Sequence, residues 1–189
     1  MAYQSHLPIL KQAIESFNIK SVFEFGIGIY STDLFLKNCD SGIMSIEMND
    51  HKHEGRSWYD YTVSELSSHN NSCRWRHKQI VGEFFAIHYA MGIFHNEKFD
   101  LVFVDGHGDS RGEQVNSVFC EQAPAAKIII AHDTEHMKQR NKWRIPDSYG
   151  IMDFHNGPIT TVITTTEMLN AVKEWEGGSD NPRWITNNN

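Results

Sequence analysis

Two clusters of chemistry-bearing residues organise this chain. The first is Glu24-Phe25-Gly26-Ile27-Gly28-Ile29-Tyr30-Ser31-Thr32. Glycines permit a sharp backbone turn and close approach of a ligand, and a helix starting just beyond them offers free N–H groups to it. Twenty-three positions after Glu24 stands Glu47. A carboxylate there can accept two hydrogen bonds from a ribose diol, and bonds to a charged group contribute about 1.5–3 kcal/mol each. A Gly-x-Gly pair alone marks only a tight turn. Its place after a strand, before a helix and about 20 residues ahead of an acid points to a nucleoside-bearing ligand.

Glu24 narrows the choice of nucleoside. A dinucleotide would lay a doubly charged pyrophosphate over this turn, where a carboxylate repels it by about 1 kcal/mol per charge pair in water and about 4 near a protein surface. S-adenosylmethionine has no phosphate and presents an ammonium and a sulfonium, both of which Glu24 would attract. Tyr30 is also large for a pyrophosphate loop.

The second cluster is Asp105-Gly106-His107-Gly108-Asp109-Ser110-Arg111 together with His132-Asp133-Thr134. Each stretch follows an apolar, strand-like run, and parallel strands bring their carboxyl ends to one crevice. Three readings compete. Asp105 and Asp133 could hold a divalent cation that orients a substrate hydroxyl. His107 or His132 could remove a proton from that hydroxyl, an unperturbed pKa near 6.5 suiting the task. Or the residues are structural: Asp105 binding loop amides, His132 packing on a helix, Arg111 paired with Asp109. Adjacent strand residues face opposite sides, so His132 and Asp133 share the crevice only if the strand has already ended.

The elements that must position these groups follow from periodicity. Leu7, Leu10, Ile14 and Phe17 form one helical stripe. Strands are expected at 21–25, 43–46, 78–81, 99–105 and 127–131, with helices from Ser31 or Thr32 to Lys37 and over 58–66, 84–94 and 112–121. The run 99–105 is apolar on both faces, as a central parallel strand requires. Residues 151–154 and 160–165 flank Asn156-Gly157, a hairpin signal, and a helix over 167–175 closes the chain, with Gly177-Gly178 as its stop. Residues 1–18 read as an N-terminal helix and the charged, aromatic stretch 135–150, with Trp143, Arg144 and Tyr149, as a substrate lid. The alternation predicts an α/β fold, and the length of 189 residues predicts one domain, 1–189.

The motif Glu24-Phe25-Gly26-Ile27-Gly28, with Glu47, Val104-Asp105-Gly106 and the terminal hairpin, resembles class I S-adenosylmethionine-dependent methyltransferases over roughly residues 20–170. The resemblance implies a Rossmann-like seven-stranded sheet, mostly parallel with an antiparallel last strand and helices on both faces. It implies Gly26 and Gly28 against the cofactor, Ser31 and Thr32 at the helix start, Glu47 on the ribose, Glu83 beside the adenine and Asp105 near the methionine end. The second cluster is similar to that of small O-methyltransferases, which implies Mg2+ or Mn2+ at Asp105 and Asp133. The family's third loop glycine is replaced here by Tyr30.

Other chemistries are excluded by what the chain lacks. It has no Gly-x-Ser-x-Gly for a hydrolase, no Walker loop and no Asn-Pro-Pro-Tyr signature of amino-directed methylation. A hydroxyl of a small molecule or glycan is the expected acceptor. A nicotinamide-dependent oxidoreductase and a non-catalytic nucleoside-binding protein are the alternatives. A net charge of −7 argues against a nucleic-acid partner. Three scattered cysteines form no Cys-x-x-Cys pair, are too few for a four-thiolate structural zinc, and suit a reducing, cytoplasmic compartment. No apolar run is of membrane-spanning length, and the N-terminus does not read as a signal peptide.

Overall fold

A computed structural model describes residues 4–120, 123–135, 140–155, 157–175 and 178–179. In chain order the elements are α1 (Leu7–Phe17), β1 (Ser21–Phe25), α2 (Ile29–Asn38), β2 (Gly42–Glu47), β3 (Lys52–His53), β4 (Arg56–Ser57), α3 (Trp58–Leu66), β5 (Trp75–Gln79), α4 (Glu83–Asn96), β6 (Phe99–Val104), α5 (Arg111–Ser117), β7 (Ala126–Ala131), β8 (Tyr149–Phe154), β9 (Thr160–Thr165), α6 (Thr166–Lys173) and β10 (Gly178–Ser179).

Strand alternation decides the layers, because successive side chains point to opposite faces. Val22, Leu101, Phe103, Ile128 and Ile130 join a core completed by Leu10 and Ile14 of α1, Phe35 and Leu36 of α2, Leu66 of α3 and Val172 of α6. Their neighbours Phe23, Phe25, Val102, Val104 and Ile129 face a second core, with Ala86, Ala90 and Phe94 of α4 and Val115 of α5. The sheet is therefore sandwiched between helices.

Its strand order is β10-β8-β9-β7-β6-β1-β2-β5. The strands β5, β2, β1, β6 and β7 pair in parallel. Strand β9 lies antiparallel between β7 and β8, so it is the reversed strand. This is the expected mixed seven-stranded sheet, with the two-residue β10 added at the edge of β8.

Several boundaries differ from the sequence expectation for identifiable reasons. β5 starts at Trp75 rather than at 78, because only Trp75 is buried and Arg76 and Lys78 face solvent, which disguises the run as polar. α2 starts at Ile29 behind an extended Gly28, not at Ser31 or Thr32; those hydroxyls are turned to Glu24. The ribbon β3–β4 went unforeseen. Glu54 and Gly55 both take positive φ (51° and 81°), as a two-residue type I′ turn requires. α5 ends at Ser117 and α6 at Lys173, and Gly178 opens β10 instead of stopping a helix. Glu121, Asn156 and Gly177 lie outside the described residues.

Within 135–150, residues 136–139 lie outside the described residues. The rest packs against the body of the protein: Asn116 bonds Lys142 and Arg144, and Arg140 forms a two-pronged ion pair with Asp153 at 2.7 and 3.0 Å. Tyr149 belongs to β8.

Candidate functional site

At the carboxyl ends of the parallel strands lies a crevice of about 530 Å³. Gly26, Ile27, Gly28, Ile29, Tyr30 and Ser31 form its floor. Gly26 has φ +85°, and a Cβ there would sit 2.5 Å from the carbonyl oxygen of Asp105. Glycine is thus demanded by the approach of two backbones, the turn after β1 and the one after β6.

The amides of this turn are already engaged. Gly26 N–H donates to Ile46 O at 2.8 Å. Ile27 N–H donates to Glu47 Oε2 at 3.1 Å and Gly28 N–H to Thr32 Oγ1 at 3.2 Å. A turn that cradles pyrophosphate must keep such donors free for it. This one spends them on its own chain.

Glu24 is fully buried and lies beneath the crevice without lining it. Ser31 Oγ donates to its Oε1 at 2.6 Å, while Thr32 and Ser45 both donate to Oε2 at 2.7 Å. Trp75 extends the network through Ser45 at 3.0 Å. Burial pushes the Glu24 carboxyl up to about 7 against the pull of the three hydroxyls. The expected direct attraction of Glu24 for a ligand cation is therefore corrected. Its carboxylate is closed off and ties the head of α2 to β1 and β2. Thr32 serves the same knot, whereas Ser31 also lines the crevice.

Glu47 ends β2 at the crevice wall. Oε1 accepts from Asn49 N–H at 2.7 Å and Oε2 from Ile27 N–H. Burial raises its pKa, opposed by these backbone bonds. Each oxygen keeps a lone pair for a further donor, so a ribose diol remains accommodated.

The opposite wall comes from a segment that the sequence reading passed over. His51, Lys52, His53, Trp58 and Tyr61 line it. His51 stacks on Trp58 with ring centroids 5.5 Å apart, and His53 leans on Tyr61 at 4.5 Å. Trp58 Nε1–H donates to Ile27 O at 2.6 Å, pinning the wall to the floor. Three aromatic residues (Trp58, Tyr59 and Tyr61) and two histidines within a dozen positions were the available signal. None of the described residues of 135–150 reaches this crevice.

The second cluster does converge. β7 ends at Ala131, so His132 and Asp133 both turn toward Asp105. Arg111 ties the group together: Nε donates to Gly106 O, Nη1 to Asp133 O, and Nη2 to Asp105 Oδ1 and Asp133 Oδ2, all at 3.2 Å. Asp133 holds a left-handed backbone (φ 52°), which is rare outside glycine and is retained here by these contacts. The guanidinium stands between Asp105 and Asp133, where the sequence reading expects a metal. Among the described residues Arg111 bonds Gly106, Asp105 and Asp133, not Asp109. His132 Nδ1 lies 3.2 Å from Asp105 Oδ1, and its Nε2 lies 2.9 Å from Ser5 Oγ.

Two further residues fall elsewhere than expected. His107 Nδ1 is 2.5 Å from Glu83 Oε1, too poorly aligned for a hydrogen bond. Both residues are half-buried, and neither lines the crevice. His6, which sequence reasoning did not single out, does line it beside Asp105. His6 is buried, and burial lowers its pKa to about 4.

The site thus offers a floor whose Gly26, Ile27 and Gly28 amides are already engaged, two carboxylates, an aromatic wall and a neutral imidazole. The sequence matches no protein-family model and no curated protein. Solved structures are similar to it. A Staphylococcus aureus protein assigned as a caffeoyl-CoA O-methyltransferase is 16% identical with a TM-score of 0.62, over 84% of this chain and 82% of that one. An O-methyltransferase from Bacillus cereus, solved in complex with SAH, is 14% identical with a TM-score of 0.59, over 86% and 80%. A methyltransferase from Geobacter sulfurreducens is 14% identical with a TM-score of 0.57, over 86% and 78%. In strand order, in the reversed strand β9 and in the crevice above β1, β2 and β6, this chain has the fold of the class I S-adenosylmethionine-dependent methyltransferases.

Proposed function

We propose that this chain is an S-adenosylmethionine-dependent methyltransferase acting on a hydroxyl of a small molecule or sugar. The observation that carries the reading is the turn Gly26-Ile27-Gly28, whose three amides are consumed internally while Glu47 and Asp105 stand beside it. Those carboxylates suit a cationic ligand and oppose a diphosphate by about 4 kcal/mol per close charge pair. In this reading Glu47 takes the ribose diol, and Gly26, Gly28 and Ser31 border the cofactor. Glu83, paired with His107, stands outside the crevice lining.

Methyl transfer is a displacement. With S-adenosylmethionine bound, the acceptor oxygen would bond the methyl carbon as the carbon–sulfur bond breaks, the sulfur leaving as a neutral thioether. The hydroxyl proton must go to a base. Asp105 is the assigned acceptor of that proton, because it faces the crevice and is fixed by Arg111 and His132. His132, almost fully covered, acts as a positioning residue behind it. The aromatic wall of Trp58 and Tyr61 would stack on a sugar ring or flat acceptor. No metal between Asp105 and Asp133 is part of this proposal, since the Arg111 guanidinium already bridges that pair.

Calorimetric titration with S-adenosylhomocysteine tests the cofactor. Saturable micromolar binding with none for NADH is expected; NADH binding without S-adenosylhomocysteine binding would reverse the assignment. Methyl transfer from labelled S-adenosylmethionine to a panel of sugars and phenols then identifies the acceptor. Against it, Asp105→Asn should lose about 100-fold or more in kcat, the usual contribution of a general base.

A further inference from the structure

We infer that His6, Asp105 and His132 form a binding site for one borderline transition-metal dication, Zn2+ being the representative ion. One ligand atom from each residue lies within 4.8 Å of the other two. The three come from the segment before α1, the turn after β6 and the turn after β7, so only the folded chain assembles them. The site differs in donors and position from a pair of carboxylates. Asp133 is turned to Arg111, and two imidazoles take the place of oxygen ligands.

The independent observation is His6 itself. It is 4% exposed, lines the crevice, and neither ring nitrogen has a hydrogen-bond partner among the described residues. Burying a polar atom without a partner is unfavourable, so the lone pair of this ring calls for a ligand.

His132 fits the same role. In the metal-free chain His132 Nδ1–H donates to Asp105; on zinc binding the tautomer with Nε2–H donating to Ser5 Oγ would turn the Nδ1 lone pair to the ion in place of that bond. That is the arrangement of metal-bound histidines, in which the far nitrogen is anchored by a second partner. Asp105 has lone pairs for both Arg111 and an ion.

Donor chemistry selects the ion. Two imidazoles and one carboxylate suit zinc or its neighbours, whereas Mg2+ prefers an oxygen shell. Three protein ligands leave a position open to the crevice, where an acceptor hydroxyl would bind. The proposal stands apart from the cofactor reading, since zinc can bind whether or not an adenosyl compound does.

The full-length chain, stripped with EDTA, is titrated with Zn2+ alone and with Co2+ as a spectroscopic probe. One equivalent is expected, with visible Co2+ bands of imidazole coordination. His6→Phe and His132→Phe should each weaken Zn2+ binding about 100-fold or more, at least the effect of losing an outer partner of a metal ligand. His88→Ala, on the exposed face of α4, should leave it unchanged. His6→Phe removes both unpartnered nitrogens, so its zinc-free form should melt at or above the temperature of the zinc-free parent, showing that lost binding is not lost folding. Absence of binding at about 100 μM Zn2+, or unchanged binding in folded His6→Phe, would overturn the site. S-adenosylhomocysteine titrated into the zinc-free protein separates the two readings: its binding without any zinc site refutes only the metal, and the converse refutes only the cofactor.

Discussion

Replacing Glu24 by Gln should change how stability depends on pH, and the sign and size follow from its surroundings. The carboxyl is fully buried, and its pKa is raised from 4.5 to about 7 by desolvation. Between those values the folded state holds a proton that the unfolded chain has released, so folding stability falls as pH rises. The contribution is complete below 4.5 and is lost as pH passes through about 7. At about 1.4 kcal/mol per pH unit, it amounts to about 3 kcal/mol. His6 works in the opposite sense. Its pKa is lowered from 6.5 to about 4, so the unfolded chain takes up the proton first and stability falls as pH drops through that window. In the parent protein the two slopes oppose each other between about pH 4.5 and 6.5 and partly cancel. Gln is neutral and nearly isosteric, and the hydroxyls of Thr32 and Ser45 can rotate to meet its amide. Urea unfolding followed by tryptophan fluorescence, at pH values from about 4.5 to 8, measures the difference between Glu24→Gln and parent. The variant should gain about 3 kcal/mol relative to the parent across that range. Groups shared by both proteins, Glu47 among them, cancel in the difference. A difference constant within about 0.5 kcal/mol would refute the claim that Glu24 is buried as a high-pKa acid.

Arg111→Ala leaves Asp105 and Asp133 facing one another without their shared cation; unfolding in urea should show a loss of about 2–4 kcal/mol, and methyl transfer should fall with it. Glu47→Gln removes the charge proposed to hold the ribose and should weaken S-adenosylhomocysteine binding about tenfold or more by calorimetry. Ligand at about 100 times its dissociation constant adds about 2.7 kcal/mol, so S-adenosylhomocysteine should raise the melting temperature by about 5–10 °C, whereas NADH should leave it unmoved. Trp58→Ala cuts the bond to Ile27 O that holds the aromatic wall to the floor and should raise KM for the acceptor more than it lowers kcat.

The parallel core strands were readable because they are apolar on both faces. Phe99–Val104 and Ala126–Ala131 feed side chains into both cores, so their sequence has no polar alternation to confuse with a helix. β5 was misplaced for the converse reason: as an edge strand it shows Arg76 and Lys78 to water. The β3–β4 ribbon is too short for a hydrophobic period and is held by a turn whose glutamate adopts an unfavourable backbone angle. His6 could not be found from sequence, since one histidine ahead of an apolar helix says nothing about what it will face.

By itself, the sequence determined what local periodicity and chain order can carry: the alternating strands and helices, the glycine turn before a helix, the acid at the end of β2, and acidic turns after two adjacent parallel strands. Tertiary structure alone decided which way the charged groups face. Glu24 could line the crevice or be sealed under α2, and three hydroxyls from two other elements settled it inward. Arg111 could meet solvent or Asp109, and the meeting of two turns gave it Asp105 and Asp133 instead. Such choices depend on the desolvation of charge and on partners distant in the chain, neither of which a run of neighbouring residues specifies.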